Sequence, residues 1–131
     1  MKCRDQNGFT LIEILVAASI FSFAVLGLAA GTVSVIQTNT TSHLQTSAVN
    51  LAQGKIEEFR AMSTTALAAL SCPAYTSSGC SDAPSASGKA FSRSWQVTAN
   101  SPVTGVTTLA VKVDWSDYSS RSVTMSASVV Q

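Results

Sequence analysis

From Ile14 to Gly54 the chain carries no acidic or basic residue apart from His43, and from Phe9 to Ile36 it is apolar almost throughout. A helix of those 28 residues would reach about 42 Å, enough to cross a hydrocarbon core of about 30 Å. A secretory signal peptide is the rival reading, but its apolar region runs about 7–15 residues and ends at a small-residue cleavage site. Here the stretch is longer and holds a carboxylate, Glu13, almost at its start. A charge at the centre of a membrane helix costs roughly 2.5–3.5 kcal/mol on insertion scales, and less near its end. A plain anchor has no reason to carry one, so Glu13 reads as a functional residue.

Charged residues make up 11% of the 131 residues and mean hydropathy is +0.27, values that suit a chain partly in lipid and leave room for one domain besides. Lys2 and Arg4 precede the apolar run and no basic residue follows it until Lys55. The positive-inside rule then predicts a single pass, with the N-terminus cytoplasmic and everything after Ile36 outside. Net charge is +1; without residues 1–8 six basic and six acidic side chains are left, a neutral remainder with no footprint for nucleic acid. Loss of the residues up to Gly8 would also discard Cys3 and leave Cys72 and Cys80, an even number that suits an oxidising compartment. We read these two as a disulfide; the alternative is two free thiols in a reducing space.

Beyond Ile36 the helical pattern continues with a different character. Leu44, Ala48, Leu51, Ala52, Ile56, Phe59 and Met62 recur at three- and four-residue spacings, with Gln45, Gln53, Glu57, Glu58 and Arg60 between them. No proline occurs before Pro73, so one helix of about 55 residues is predicted, apolar all round at first and then along one face. Gly27 and Gly31 are its weak points, each costing about 1 kcal/mol relative to alanine, and their spacing lets another helix approach. Residues 71–88 read as a loop, rich in Ser, Gly and Pro. Three alternating runs follow: Phe91 to Ala99, Leu109 to Trp115, and Val123 to Val129, with turns at Asn100–Gly105 and Ser116–Arg121. They predict a small three-stranded antiparallel sheet, wet on one face and packed by the other on the helix stripe. Arg93 breaks the pattern by falling on the apolar parity, which places it at a sheet edge or puts the register in doubt. The fold class is α+β, with a long N-terminal helix on a sheet.

The segment Gly8-Phe9-Thr10-Leu11-Ile12-Glu13-Ile14-Leu15-Val16 resembles the class III signal of type IV pilins and type II secretion pseudopilins. Less sharply, Ile36-Gln37, the run Ala52 to Glu57, and the strands Val111–Trp115 and Arg121–Val123 are similar to minor pilins of the PilV kind. The resemblance implies a pilin-like fold, cleavage between Gly8 and Phe9 by a prepilin peptidase, N-methylation of Phe9 by the associated methyltransferase, and assembly with other pilin subunits through the N-terminal helix. It divides the chain into a cleaved leader (1–8), a transmembrane or filament-core helix (9–36), an amphipathic helix (37–66), a disulfide-bearing loop (67–89) and a sheet head (90–131). It also implies residence in the bacterial inner membrane with the head periplasmic, and then in a filament. The chain departs from the major pilins in having Ala30 about where they carry a proline, and in enclosing little between Cys72 and Cys80. Both departures count against a major subunit, and the resemblance implies a minor subunit of a type IV pilus, acting in pilus assembly or at its tip. The alternatives are a type II secretion pseudopilin and a filament-borne binding head for adhesion or DNA.

Physical reasoning gives Glu13 its part in this. Phe9 and Glu13 are four residues apart and share a helix face, and cleavage would leave a new amine on Phe9. An unpaired charge in a core of stacked helices costs several kcal/mol, whereas a paired one is tolerable. Glu13 would then penalise any stagger that leaves it alone. Catalysis has no comparable support, and neither a cofactor nor a metal is expected. His43 is alone, no cluster has metal-ligand spacing, and adjacent Glu57 and Glu58 face different ways. Lys89, Arg93, Lys112 and Arg121, interspersed with Asp114 and Asp117, make a weak case for nucleic acid, and Trp95 and Trp115 fall on the apolar parity and read as core.

Overall fold

The computed structural model describes residues 9–130; the expected leader (1–8), with Cys3 and Gly8, lies outside the described residues. Helix α1 runs from Leu11 to Ala61 without a break, through both Gly27 and Gly31. Thr10 starts it: the Thr10 carbonyl accepts from the amides of Glu13 and Ile14, at 3.1 and 3.3 Å, and its hydroxyl accepts weakly from Glu13 at 3.4 Å. The chain divides after Thr40 into two units. In the first, every described residue is exposed, and the most apolar window of 18 residues has a mean hydropathy of 2.4. Five of its hydroxyls donate within the helix, among them Ser22 to the Ala18 carbonyl at 2.8 Å, Thr32 to Leu28 at 2.9 Å and Thr40 to Ile36 at 3.0 Å. Such back-bonding lets a Ser or Thr sit in hydrocarbon without an unsatisfied donor.

The second unit, from Thr41 onward, is the head. The α1 residues Leu44, Ala48, Ala52, Ile56 and Phe59 are buried, the stripe expected from their spacing. A one-and-a-half-turn helix α2 (Thr64–Ala69) follows, capped by Ser63, whose hydroxyl accepts from the Ala66 amide at 3.3 Å. The strands are β1 (Ser81–Asp82), β2 (Ser85–Ala86), β3 (Lys89–Ala90), β4 (Ser92–Thr98), β5 (Val106–Ser116) and β6 (Ser120–Val130). β2 and β3 form a separate tight hairpin through Ser87 and Gly88, both at positive φ (52° and 72°), the turn whose twist suits a two-residue hairpin.

The sheet has four antiparallel strands in the order β1-β4-β5-β6, one more than expected. β1 comes from the segment read as loop, because a strand of two residues is too short to show alternation. Its place explains Arg93. Asp82 pairs with Arg93 across β1 and β4, and the guanidinium makes a two-pronged bond to the Asp82 carboxylate while donating to the Leu51 carbonyl of α1 at 3.0 Å. The anticipated register is therefore correct: the inward rows across the sheet read Asp82–Arg93–Val113–Val123, then Trp95–Val111–Met125, then Val97–Leu109–Ala127.

Those rows meet the α1 stripe in one core with Leu67, Cys72, Cys80, Phe91 and Trp115. Phe59 and Trp95 meet edge to face at 5.8 Å, and the Lys55 ammonium lies 4.5 Å from the Trp95 ring centre. Truncating Phe59 would leave a void at the centre of this contact. Phe59→Ala should lower head stability by about 3–5 kcal/mol, measured as a drop in the urea midpoint followed by tryptophan fluorescence.

Candidate assembly site

Glu13, Ala17 and Phe21 succeed one another at four-residue intervals on one face of α1, and Phe9, expected on the same helix face as Glu13, instead lies two residues before the helix begins. With Ile14 and Ala18 they line an open notch of about 530 Å³. The small alanine side chains give the notch its depth, and Glu13 is its one charged member. Glu13 is exposed, and it is also the one charged residue between Phe9 and Gly54 other than His43. His43 is itself exposed.

Sequence reasoning missed one local role of Glu13. Thr10 and Glu13 have the Thr-x-x-Glu spacing of a capping box, with Glu13 at the third helical position, where a carboxylate also complements the positive end of the helix dipole. The amide half of that box is made, weakly. The pattern was visible in the sequence. It gives Glu13 a reason to sit at this turn, but none for being an acid within an apolar helix bound for lipid.

In the head, Cys72 and Cys80 are joined, with Cα atoms 5.8 Å apart, and both are buried. The Cys80 carbonyl accepts from the Trp95 amide at 2.9 Å and the Cys72 carbonyl from the Val97 amide at 2.8 Å, so the bridged segment lies along β4. Its covalent link and these bonds hold β1 where Asp82 reaches Arg93.

The head's cations are not gathered: Lys89 stands exposed on β3, and the other three candidates are each engaged. Arg93 is taken by Asp82, Lys112 lies 2.8 Å from Asp114, and Arg121 lies 3.3 Å from Asp117. A cleft of about 670 Å³ lies beside Phe91, Asp114, Trp115 and Arg121, but both its charged groups already have partners and its two rings are buried. Among the described residues, no group of three or more His, Cys, Asp or Glu is placed to hold a metal ion.

A match to the family model described as the prokaryotic N-terminal methylation motif covers residues 3–29. No curated protein and no solved structure matches the chain. The chain thus carries a class III prepilin signal, on an α+β fold in which a long apolar N-terminal helix continues onto an antiparallel sheet, consistent with a type IV pilin-like protein. Such a signal implies processing by a prepilin peptidase and assembly with other pilins, and the apolar helix fits membrane anchoring.

Asp117 ties the β5–β6 turn to α1. Its carboxylate accepts from the Ser119 amide at 3.1 Å, the Thr41 hydroxyl at 2.9 Å and the Tyr118 amide at 2.6 Å, and faces Arg121. The Ser119 amide above all, then Thr41, Tyr118 and Arg121, hold this carboxyl down from 3.8 to about 2, against an opposing push from burial. The folded form thus prefers the ionised acid. Its stabilising contribution is complete above about pH 4 and is lost as pH falls toward 2. In acid titrations of unfolding, Asp117→Asn should lower stability at pH 7 and remove that part of the slope between pH 4 and pH 2; an unchanged slope would show that the turn is held otherwise.

Proposed function

We propose that this chain is a minor structural subunit of a type IV pilus, made as a prepilin and acting in pilus assembly or at the filament tip. The observation that carries this reading is the joining of two features. A prepilin-type motif spans residues 3–29, and it opens a helix whose described residues up to Thr40 are all exposed, with Glu13 their single charge. An apolar surface of that extent needs lipid or other helices against it.

In this reading the peptidase removes residues 1–8 by cutting between Gly8 and Phe9, and the new amine of Phe9 is methylated. Residues 9–36 hold the subunit in the inner membrane until assembly, when neighbouring helices replace lipid around them. The amphipathic helical region (37–66), which the structure divides between the end of α1 and the start of α2, the bridged segment (67–89) and the sheet (90–131) then form the outward head. The notch around Glu13 is apolar apart from its carboxylate, so an amine from a neighbouring subunit is a fitting occupant, and a stagger without it leaves Glu13 unpaired. A type II secretion pseudopilin would use the same helix in the same way, and the two differ in which partners assemble with it.

Two measurements test the reading. The mature protein should have lost residues 1–8, gained a methyl group on Phe9 and be two hydrogens short from the Cys72–Cys80 bond; an intact N-terminus by mass spectrometry would sink the processing scheme. Glu13→Gln and Glu13→Ala should both insert into the membrane at the normal level but enter filaments poorly, by immunoblot of sheared fibres. Normal incorporation of both variants would remove the role assigned to Glu13.

A further inference from the structure

The two edges of the sheet are built differently. β1 closes one edge with two residues, whereas β6 presents eleven at the other and, among the described residues, pairs with β5 alone. An unpaired strand exposes a row of amides and carbonyls, and soluble proteins blunt such edges with charge, proline, a bulge or short length. Beyond Arg121, which is turned to Asp117 at the start of the strand, β6 has none of these. From Ser122 to Val130 it contains no charge, no proline and no glycine. Its register with β5 runs unbroken from Val106↔Val130 to Ser116↔Ser120, so no bulge turns the edge aside.

The apolar cover also stops short of this edge. On β5, Leu109, Val111 and Val113 are wholly buried, while their neighbours on β6, Val123, Met125 and Ala127, are only half-buried. Between β6 and α1 lies a groove of about 290 Å³, with Ile56, Met125 and Ala127 among its apolar lining and Gln53, Glu57 and Arg60 on its helix side. Arg60 and Glu57 bond each other at 2.9 Å, so that wall asks for no countercharge. A free strand edge beside an apolar groove is the geometry of strand addition, in which main-chain bonds supply affinity and alternate side chains fill the groove.

We propose that β6 and the α1–β6 groove form a docking edge to which a different pilin-type subunit adds a neutral strand of alternating apolar and hydroxyl residues. This rests on the filament-subunit reading. Neutrality follows from the uncharged edge and the self-paired wall, and alternation from the apolar inner row and the Ser/Thr outer row of β6 itself. A second copy of this chain fits poorly. Joining two β6 edges about a two-fold axis that keeps both apolar rows on one side reverses the direction of α1 in the second copy. Copies inserted into one membrane from the same side run the same way.

The test uses the full chain in its native membrane, carrying Cys3→Ser. A benzophenone attached at Ser126→Cys, on the exposed row of β6, should on illumination form an adduct whose partner peptide, read by mass spectrometry, belongs to a strand of another protein with a prepilin-type N-terminus. The same probe at Ser94→Cys, on β4, should give none. Adding Ala127→Lys, which puts a charge into the groove, should cut the Ser126→Cys yield at least about tenfold. Ser128→Lys, on the exposed row and without burden on the core, should lower it too. No adduct from β6, equal adducts from β4 and β6, or adducts only with a second copy or with a protein lacking that N-terminus would overturn the proposal. Absence of the adduct alongside failed incorporation of Glu13→Gln would reject the docking edge and leave the subunit reading in place.

Discussion

The head depends on one stripe of α1 packing against one face of the sheet. The stripe is uneven: two alanines, Ala48 and Ala52, lie between Leu44 at one end and Ile56 and Phe59 at the other. Large residues of the sheet, Trp95 and Trp115 with Leu109, Val111 and Val113, fill the shared core. Polar contacts then fix how the helix lies on the sheet. Thr41 bonds Asp117 at one end of the head, and the Leu51 carbonyl accepts from Arg93 in its middle. Apolar packing is non-directional, whereas hydrogen bonds are directional. Together they give the head one arrangement rather than several.

The same helix does something else before Thr41, and the change of role follows from side chains alone. An all-round apolar surface cannot be matched by one sheet, so residues 9–40 are left exposed, while the one-sided stripe from Leu44 onward can be. Ser and Thr residues in the apolar part return their protons to carbonyls of their own helix. That leaves Glu13 as the group in this segment that an apolar environment penalises most. A single penalty of this kind is what the proposed register role of Glu13 rests on, because the remaining contacts of an apolar helix are nearly indifferent to small shifts along its axis.

Most of this architecture was legible in the sequence wherever a pattern had length. The α1 stripe and the three long strands showed their periods, and the inward parity of Trp95, Val111 and Met125 was correct. What escaped was short. β1 has two residues, Ser81 and Asp82, and no alternation, so the sheet was expected to have three strands. Yet its trace was present in Arg93, a cation on an apolar parity, which could be tolerated only if a carboxylate stood beside it. The capping pair Thr10 and Glu13 is masked for another reason: the acid stands out in an apolar run, yet local helix chemistry explains part of its presence there. The motif over residues 3–29 is legible because a processing enzyme must read it as linear sequence, whereas a docking surface is made only when β6 and α1 come together.

The division between these two kinds of information also says where specificity must reside. An apolar helix with one carboxylate can recognise many similar helices, so it suits entry into a filament more than choice of partner. In the head, Asp82, Asp114 and Asp117 take up Arg93, Lys112 and Arg121, and Glu57 takes up Arg60. Charges already neutralised by a neighbour in this way do not attract partners over distance. Discrimination among partners therefore falls to shape and main-chain pairing, and the surface with most of both is the uncharged edge of β6 beside the groove at Ile56. On the proposed reading, such a subunit enters the filament by a general rule and chooses its neighbour by a strand.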